Sequence, residues 1–371
     1  MSDLYRTAMS ARLAKLPPDL PPALDGEDDD EGEEEADSLG ALPGSGLGPP
    51  PFPARTPRPA RAPDPAFAPV SAAGFFQHAA QVALPARALD VRVYYSAPAG
   101  GALFVCHHGA GCAGLSFACF AREVAAMARG ACGVLALDAR RHGKTRGTAG
   151  AEDGDLSIGV LVDDFVALLG TMFPDPAAAP PFVLVGHSMG GSVVTRACPR
   201  LQESGYRITG VSVLDAVEGF ALAALPHMHA LLGARPDGFA SAVTQHHAGA
   251  VTPQPTGGAA TPQPTGGAAT PRYVWRTPLR STAAYWRGWF EGLSAAFLGA
   301  RTARMLVLAG TDRLDKPLMI GQMQGKFQLE VVPDVGHLLH EDDPRRLAEL
   351  HVAFWRRNER VGGGVKRVGD V

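Results

Sequence analysis

Phe182-Val183-Leu184-Val185-Gly186-His187-Ser188-Met189-Gly190-Gly191 decides the fold. Five apolar or small residues form a buried-strand pattern, and a helical pattern starts directly behind the serine. Between them lies G-x-S-x-G, the sequence form of a sharp strand-to-helix turn that lifts a serine hydroxyl above a parallel sheet. Gly186 and Gly190 stand two residues either side of Ser188, where a Cβ would collide as strand and helix fold close together. The pentapeptide alone is a weak signal in a chain with 44 glycines. Its setting between strand and helix makes Ser188 the expected nucleophile.

Outward from that turn, short apolar runs alternate with amphipathic stretches. Val91–Tyr95, Ala102–Cys106, Gly133–Leu137, Ile208–Leu214, Met305–Ala309 and Phe327–Val332 are expected strands. Phe117–Ala128, Leu161–Leu169, the stretch behind Ser188 through Leu201, and Arg345–Trp355 are expected helices, with Asp163 and Asp164 on a wet face. This rhythm belongs to a mostly parallel sheet with helices on both faces, the α/β-hydrolase architecture once the elbow is included. The rhythm lapses from Glu218 to Phe297, the expected helical cap, within which Thr252–Ala260 repeats as Thr261–Ala269. Two copies rich in Pro, Gly and Thr indicate a flexible insertion at about 243–271 rather than a solenoid. Tyr285-Trp-Arg-Gly-Trp-Phe290 fits either core packing or the wall of a substrate cleft.

Residues 1–72 are expected to be a disordered tail. Asp25–Asp37 is almost continuously acidic and prolines follow, so the segment cannot bury enough apolar surface to offset its ordering entropy. A hydrolase domain over 73–357 and a second tail over 358–371 complete the expected layout. A net charge of −3 without a basic stripe argues against nucleic-acid binding. No run reaches membrane-span length and no signal-peptide core opens the chain. Five cysteines without paired spacing suit reduced thiols better than disulfides or a zinc site. A soluble cytoplasmic or nuclear protein is expected.

A serine hydroxyl needs a base within hydrogen-bond reach and a carboxylate to fix the tautomer of that base. In this fold they follow in the order Ser, Asp or Glu, His. Among twelve histidines, His337 is the expected base, since it follows the last strand in a Gly-His loop. His187 abuts the serine and is read as a packing residue of the elbow. Two aspartates satisfy the order for the acid, Asp215 after the strand behind the elbow helix and Asp312 after the next. The residues alone lean slightly to Asp312, in its G-x-D setting. The loop His107-His108-Gly109-Ala110-Gly111 follows the strand that supplies one oxyanion-hole amide in this fold. Ala110 and Met189 are therefore the expected backbone donors, with no metal or organic cofactor needed. Asp138-Ala-Arg-Arg-His-Gly143 ends a strand and is read as a network pinning loops under the site.

Several further strings together resemble one family, protein phosphatase methylesterase. They are His108-Gly-Ala-Gly-Cys-Ala-Gly-Leu-Ser-Phe117, Leu214-Asp-Ala-Val-Glu-Gly219, Tyr273-Val-Trp-Arg276 and Tyr285-Trp-Arg-Gly-Trp-Phe-Glu-Gly-Leu-Ser294. Ala309-Gly-Thr-Asp-Arg-Leu-Asp-Lys316, Ile320-Gly-Gln-Met-Gln-Gly-Lys-Phe327 and Gly336-His-Leu-Leu-His-Glu-Asp342 extend the similarity to roughly Phe67–Asn358. The resemblance places the acid at the aspartate of D-x-V-E-G, here Asp215. It implies action on the methyl-esterified carboxyl-terminal leucine of the protein phosphatase 2A catalytic subunit, free or in its holoenzymes. Two departures stand out. Ala110 replaces the second glycine of an H-G-G-G-like string, and Phe239–Pro271 keeps little of the family pattern. The rival readings are an esterase for small lipophilic esters and a phosphatase-binding protein that has lost catalysis.

Overall fold

The computed structural model describes residues 71–148, 153–235, 238–239, 254–255, 273–275, 277–310 and 314–359. The expected amino-terminal tail, most of the insertion, the carboxyl-terminal tail and Asp312 lie outside them. A nine-stranded sheet forms the centre of the described residues. Its strands are β1 (His78–Leu84), β2 (Leu89–Ser96), β3 (Leu103–His107), β4 (Gly133–Leu137), β5 (Arg146–Gly147), β6 (Phe182–His187) and β7 (Ile208–Leu214). After the cap come β11 (Ala303–Ala309) and β12 (Gln328–Val332). The spatial order is β1-β2-β4-β3-β6-β7-β11-β12, with β5 on β2. Pairing is antiparallel from β1 through the β2–β4 contact and parallel from β4 onward. β3, β4 and β6 are buried at every residue, as parallel strands covered on both faces must be.

Helix α1 (Ala118–Met127) and the last helix, α9 (Pro344–Glu359), pack together on one face, over Phe104, Val134, Val183 and Met305. Helices α2 (Ile158–Met172) and α3 (Met189–Glu203) cover the other, over Leu103, Leu135, Leu184 and Val213. The cap carries α4 (Glu218–Gly233), a 3-10 turn over Leu279–Tyr285, α5 (Trp286–Phe290) and α6 (Leu293–Gly299). Beyond it, α7 (Lys316–Met323) follows β11, and α8 (Leu339–Asp342) lies between β12 and α9.

One expectation changes, at Asp164, and the open choice for residues 285–290 closes. Gln254–Pro255, inside the first copy of the repeat, forms β9, which pairs with β10 (Tyr273–Val274); β10 in turn pairs with β8 (Gly238–Phe239). Asp164 is not on a wet face. It is 7% exposed, and its carboxylate receives Nε and Nη2 of Arg140 at 2.7 and 2.9 Å and Nε of Arg87 at 2.7 Å. Trp286, Trp289 and Phe290 settle as core, at 2%, 1% and 5% exposure. Both indole N–H groups find acceptors, Trp289 at Leu156 O (2.7 Å) and Trp286 at Thr282 Oγ1 (2.8 Å), as burial of a polar tip demands.

Candidate active site

β6 runs into Ser188 at φ 51°, ψ −119°, and α3 begins at the next residue. A side chain at positive φ costs on the order of 1–3 kcal/mol and survives only where the surroundings over-determine it. Here Ser188 N–H donates to Leu214 O at 3.0 Å, and Ser188 O accepts from Gly191 N at 2.9 Å. The flanking glycines are sterically compelled. A Cβ on Gly186 would lie 2.3 Å from Gly190 O, and one on Gly190 would lie 2.2 Å from His107 O. Gly190→Ala is therefore expected to destabilise the fold by about 3 kcal/mol, read as a lower urea midpoint. Gly159→Ala, with nothing within 4 Å of the added methyl, should show no loss.

The structure brings Asp215 and His337 together across 122 residues of chain: His337 Nδ1 lies 2.7 Å from Asp215 Oδ2. Asp215 caps β7 at φ 48°, with its N–H on Val307 O at 2.8 Å. Its other oxygen, Oδ1, accepts the Ala309 N–H at 3.0 Å. The carboxylate is thus oriented from both sides, and only 5% of the side chain is exposed against 52% for His337. An imidazole whose Nδ1–H is held by a buried carboxylate presents Nε2 as a free lone pair, the form a general base requires.

His187 holds the loop that carries His337, a role beyond the packing expected of it. Its Nε2 donates to the His337 carbonyl at 2.8 Å, with the two rings 4.6 Å apart. The same loop is closed by Gly336 N–H on Asp342 Oδ2 at 2.7 Å. His340 lies behind, fully buried and stacked on Phe117 at 4.5 Å. Burial lowers its pKa to about 3, with the His337 charge adding to the effect. The His187 contact spans 150 residues, so no local signal announces it.

The loop after β3 lies against Ser188. A Cβ on Gly109 would sit 2.6 Å from His187 Nδ1 and 3.1 Å from Ser188 Cβ. Ala110 follows, partly buried against the core and outside the positive-φ residues, so a methyl in place of a glycine is accommodated. Met189 opens α3, where an N–H has no acceptor within the helix. The Asp138–Thr145 stretch supports this loop from beneath. Asp138 Oδ1 accepts Gly114 N–H at 2.7 Å, its Oδ2 accepts Lys144 N–H at 2.6 Å, and its carbonyl accepts Thr145 Oγ1–H at 2.6 Å.

Two carboxylates join the start of α4, the segment that opens α6 and the start of α7. Glu218 accepts Gly292 N–H at 2.8 Å and Ser294 N–H at 3.0 Å. Asp315 accepts Ser294 Oγ–H at 2.6 Å and Gly219 N–H at 3.3 Å, and it caps α7 through Leu318 N–H at 3.1 Å. The strings around residues 215–219, 285–294 and 309–316 therefore meet at one junction.

Residues 104–350 match the family model described as "Alpha/beta hydrolase family". A protein phosphatase methylesterase 1 of Cryptococcus neoformans var. neoformans serotype D is 40% identical over 408 residues, covering 97% of this chain and 94% of that protein. The protein of that name from Emericella nidulans is 38% identical, covering 97% and 90%. Among solved structures, E-2-(acetamidomethylene)succinate hydrolase superposes with a TM-score of 0.56 at 18% identity, over 75% of this chain and 98% of that one. That last likeness is one of fold alone.

Proposed function

Because the chain belongs to the protein phosphatase methylesterase family of α/β-hydrolases, and is a carboxylic ester hydrolase, we propose that it cleaves the methyl ester of the carboxyl-terminal leucine on the protein phosphatase 2A catalytic subunit. The observation that carries the chemistry is the 2.7 Å contact of His337 Nδ1 with Asp215 Oδ2, beside a serine held at positive φ on the elbow. Ser188 Oγ attacks the ester carbonyl while His337 Nε2 takes its proton. Asp215 steadies the imidazolium so formed. The tetrahedral oxyanion rests on the N–H groups of Ala110 and Met189. His337 returns the proton to the methoxide as the C–O bond breaks, so methanol leaves and the leucyl acyl group stays on Ser188. Water, deprotonated by His337, then attacks the acyl-enzyme and releases the free carboxylate. No step calls for a metal or an organic cofactor. The methylated tail is the partner at the site, on the isolated subunit or in its holoenzymes. Among the described residues no helix is long and apolar enough to cross a membrane.

The test is loss of the methyl group from methylated phosphatase incubated with this protein, alongside turnover of a p-nitrophenyl ester. Wild type should release methanol and be labelled by a fluorophosphonate, and Ser188→Ala should do neither. Ester turnover with no methyl release at saturating protein would point instead to small lipophilic esters as substrates. No labelling of wild type would mean that catalysis has been lost.

A further inference from the structure

Two imidazoles with no place in the reaction steps above, His108 and His142, are both fully buried, with their rings 4.9 Å apart beneath the Gly109–Gly111 turn. The surrounding backbone fixes the tautomer of each. His142 Nδ1 lies 2.8 Å from the Arg140 carbonyl, which can only accept, so the proton sits on Nδ1. Its Nε2 is left as a lone pair and accepts the Gly111 N–H at 3.0 Å. His108 makes the same pair of bonds in the opposite sense. Its Nδ1–H donates to Gly109 O at 2.7 Å, and its Nε2 accepts the Ala139 N–H at 2.9 Å.

The four bonds fall on particular peptide planes. In a trans peptide, the carbonyl of one residue and the N–H of the next point in opposite directions within one plane. Holding Gly109 O therefore aims the Ala110 N–H, which belongs to the same peptide unit. Holding the Gly111 N–H fixes the plane on the other side of Ala110. The turn is further closed by Cys112 N–H on Gly109 O at 3.1 Å, and Gly111 adopts φ +80°. Thus both planes flanking Ala110 are held by a buried imidazole.

We propose that His108 and His142 are positioning residues for the oxyanion hole, acting together to aim the Ala110 N–H at the place where negative charge develops. The proposal rests on the serine-esterase reading of the site. A pre-aimed dipole matters more in the transition state than in the bound ester, so its loss lowers kcat and leaves KM nearly unchanged.

The experiment compares His142→Leu, which removes the acceptor, with His142→Gln, whose Oε1 can still accept from Gly111, and His142→Asn, which is too short to reach. Variants are first matched to wild type by circular dichroism and thermal melting. Turnover of a p-nitrophenyl ester and inhibition by a trifluoromethyl ketone, whose serine adduct carries an oxyanion, are then measured. Leu and Asn should lower kcat about 100-fold with KM within about twofold, and should weaken the ketone by the same factor as kcat/KM. Gln should stay within about tenfold of wild type. If Leu does not fold, Asn against Gln carries the comparison. Folded Leu or Asn variants with wild-type kcat, or Gln no better than Asn, would overturn the proposal. Wild-type turnover by Ser188→Ala in the same assay would instead overturn the esterase reading beneath it.

Discussion

Asp215→Asn is expected to lower kcat for ester hydrolysis by about four orders of magnitude while leaving the fold intact. The substitution is nearly isosteric, and asparagine is among the few side chains that tolerate the φ of 48° found at this position. The loss comes from the tautomer of His337. The Ala309 N–H, 3.0 Å from Asp215 Oδ1, requires an acceptor, so an asparagine would keep its oxygen there and turn its NH2 toward His337. Facing a donor, Nδ1 must give up its proton and the ring holds it on Nε2, the atom that should receive the proton from Ser188. The expected result is a folded, substrate-binding protein with almost no turnover and with slow fluorophosphonate labelling. Asp312→Asn should retain turnover. If only the Asp312 variant loses it, the acid is Asp312 and the Asp215 contact with His337 serves the loop alone.

Legibility followed the distance along the chain over which each feature is encoded. The elbow is local: strand, glycines, serine and helix lie within ten residues, and the structure forms that turn. β4 falls on the expected residues, Gly133–Leu137, because a continuous apolar run marks a strand covered on both faces, and β7 falls on Ile208–Leu214 through a β-branched run up to Val213 broken only by Gly210 and Ser212. β1 has no sequence signal, since His-Ala-Ala-Gln-Val-Ala-Leu on an exposed edge has neither clean alternation nor a β-branched run. Asp164 was misread because helical periodicity places a face but cannot see Arg140 and Arg87, which arrive 24 and 77 residues away in sequence to neutralise a buried carboxylate. The acid was ambiguous for a related reason. Chain order admits two aspartates, and the D-x-V-E-G string, which no general fold rule contains, is what favours Asp215, the one found 2.7 Å from His337. The imidazole bonds beneath the Ala110 turn carry no sequence signal, because each Nε2 accepts from an N–H 31 positions away, Gly111 for His142 and Ala139 for His108.

Burial of those histidines is expected to set the acid limit of the fold. His107, His142 and His351 have pKa values lowered to about 4, and that of His340 is lowered to about 3. Those of His108 and His187 are pushed well below 6.5. Burial is the main cause in every case, because a desolvated imidazolium is penalised. In the unfolded chain each ring titrates near 6.5. Above that pH both states are neutral and the full stability is present. As pH falls below 6.5 the unfolded chain binds protons that the folded one refuses, so stability is lost down to the folded pKa. Each ring contributes a loss of about 1 kcal/mol over the first unit below 6.5, where the unfolded ring is only part protonated, so six rings lose on the order of 6 kcal/mol there. That is comparable to the whole stability of a typical domain, roughly 5–15 kcal/mol. Urea midpoints followed by circular dichroism should therefore hold level from pH 8 to 7 and collapse between about pH 6 and 5. Carboxylates titrate lower, so a collapse caused by them alone would fall near pH 4 instead. Since burial rather than a neighbouring charge is the main cause, 0.5 M salt should leave the profile in place. A midpoint unchanged at pH 5 would show that these imidazoles accept protons in the folded protein, and the tautomers assigned to His108 and His142 would then fail with it.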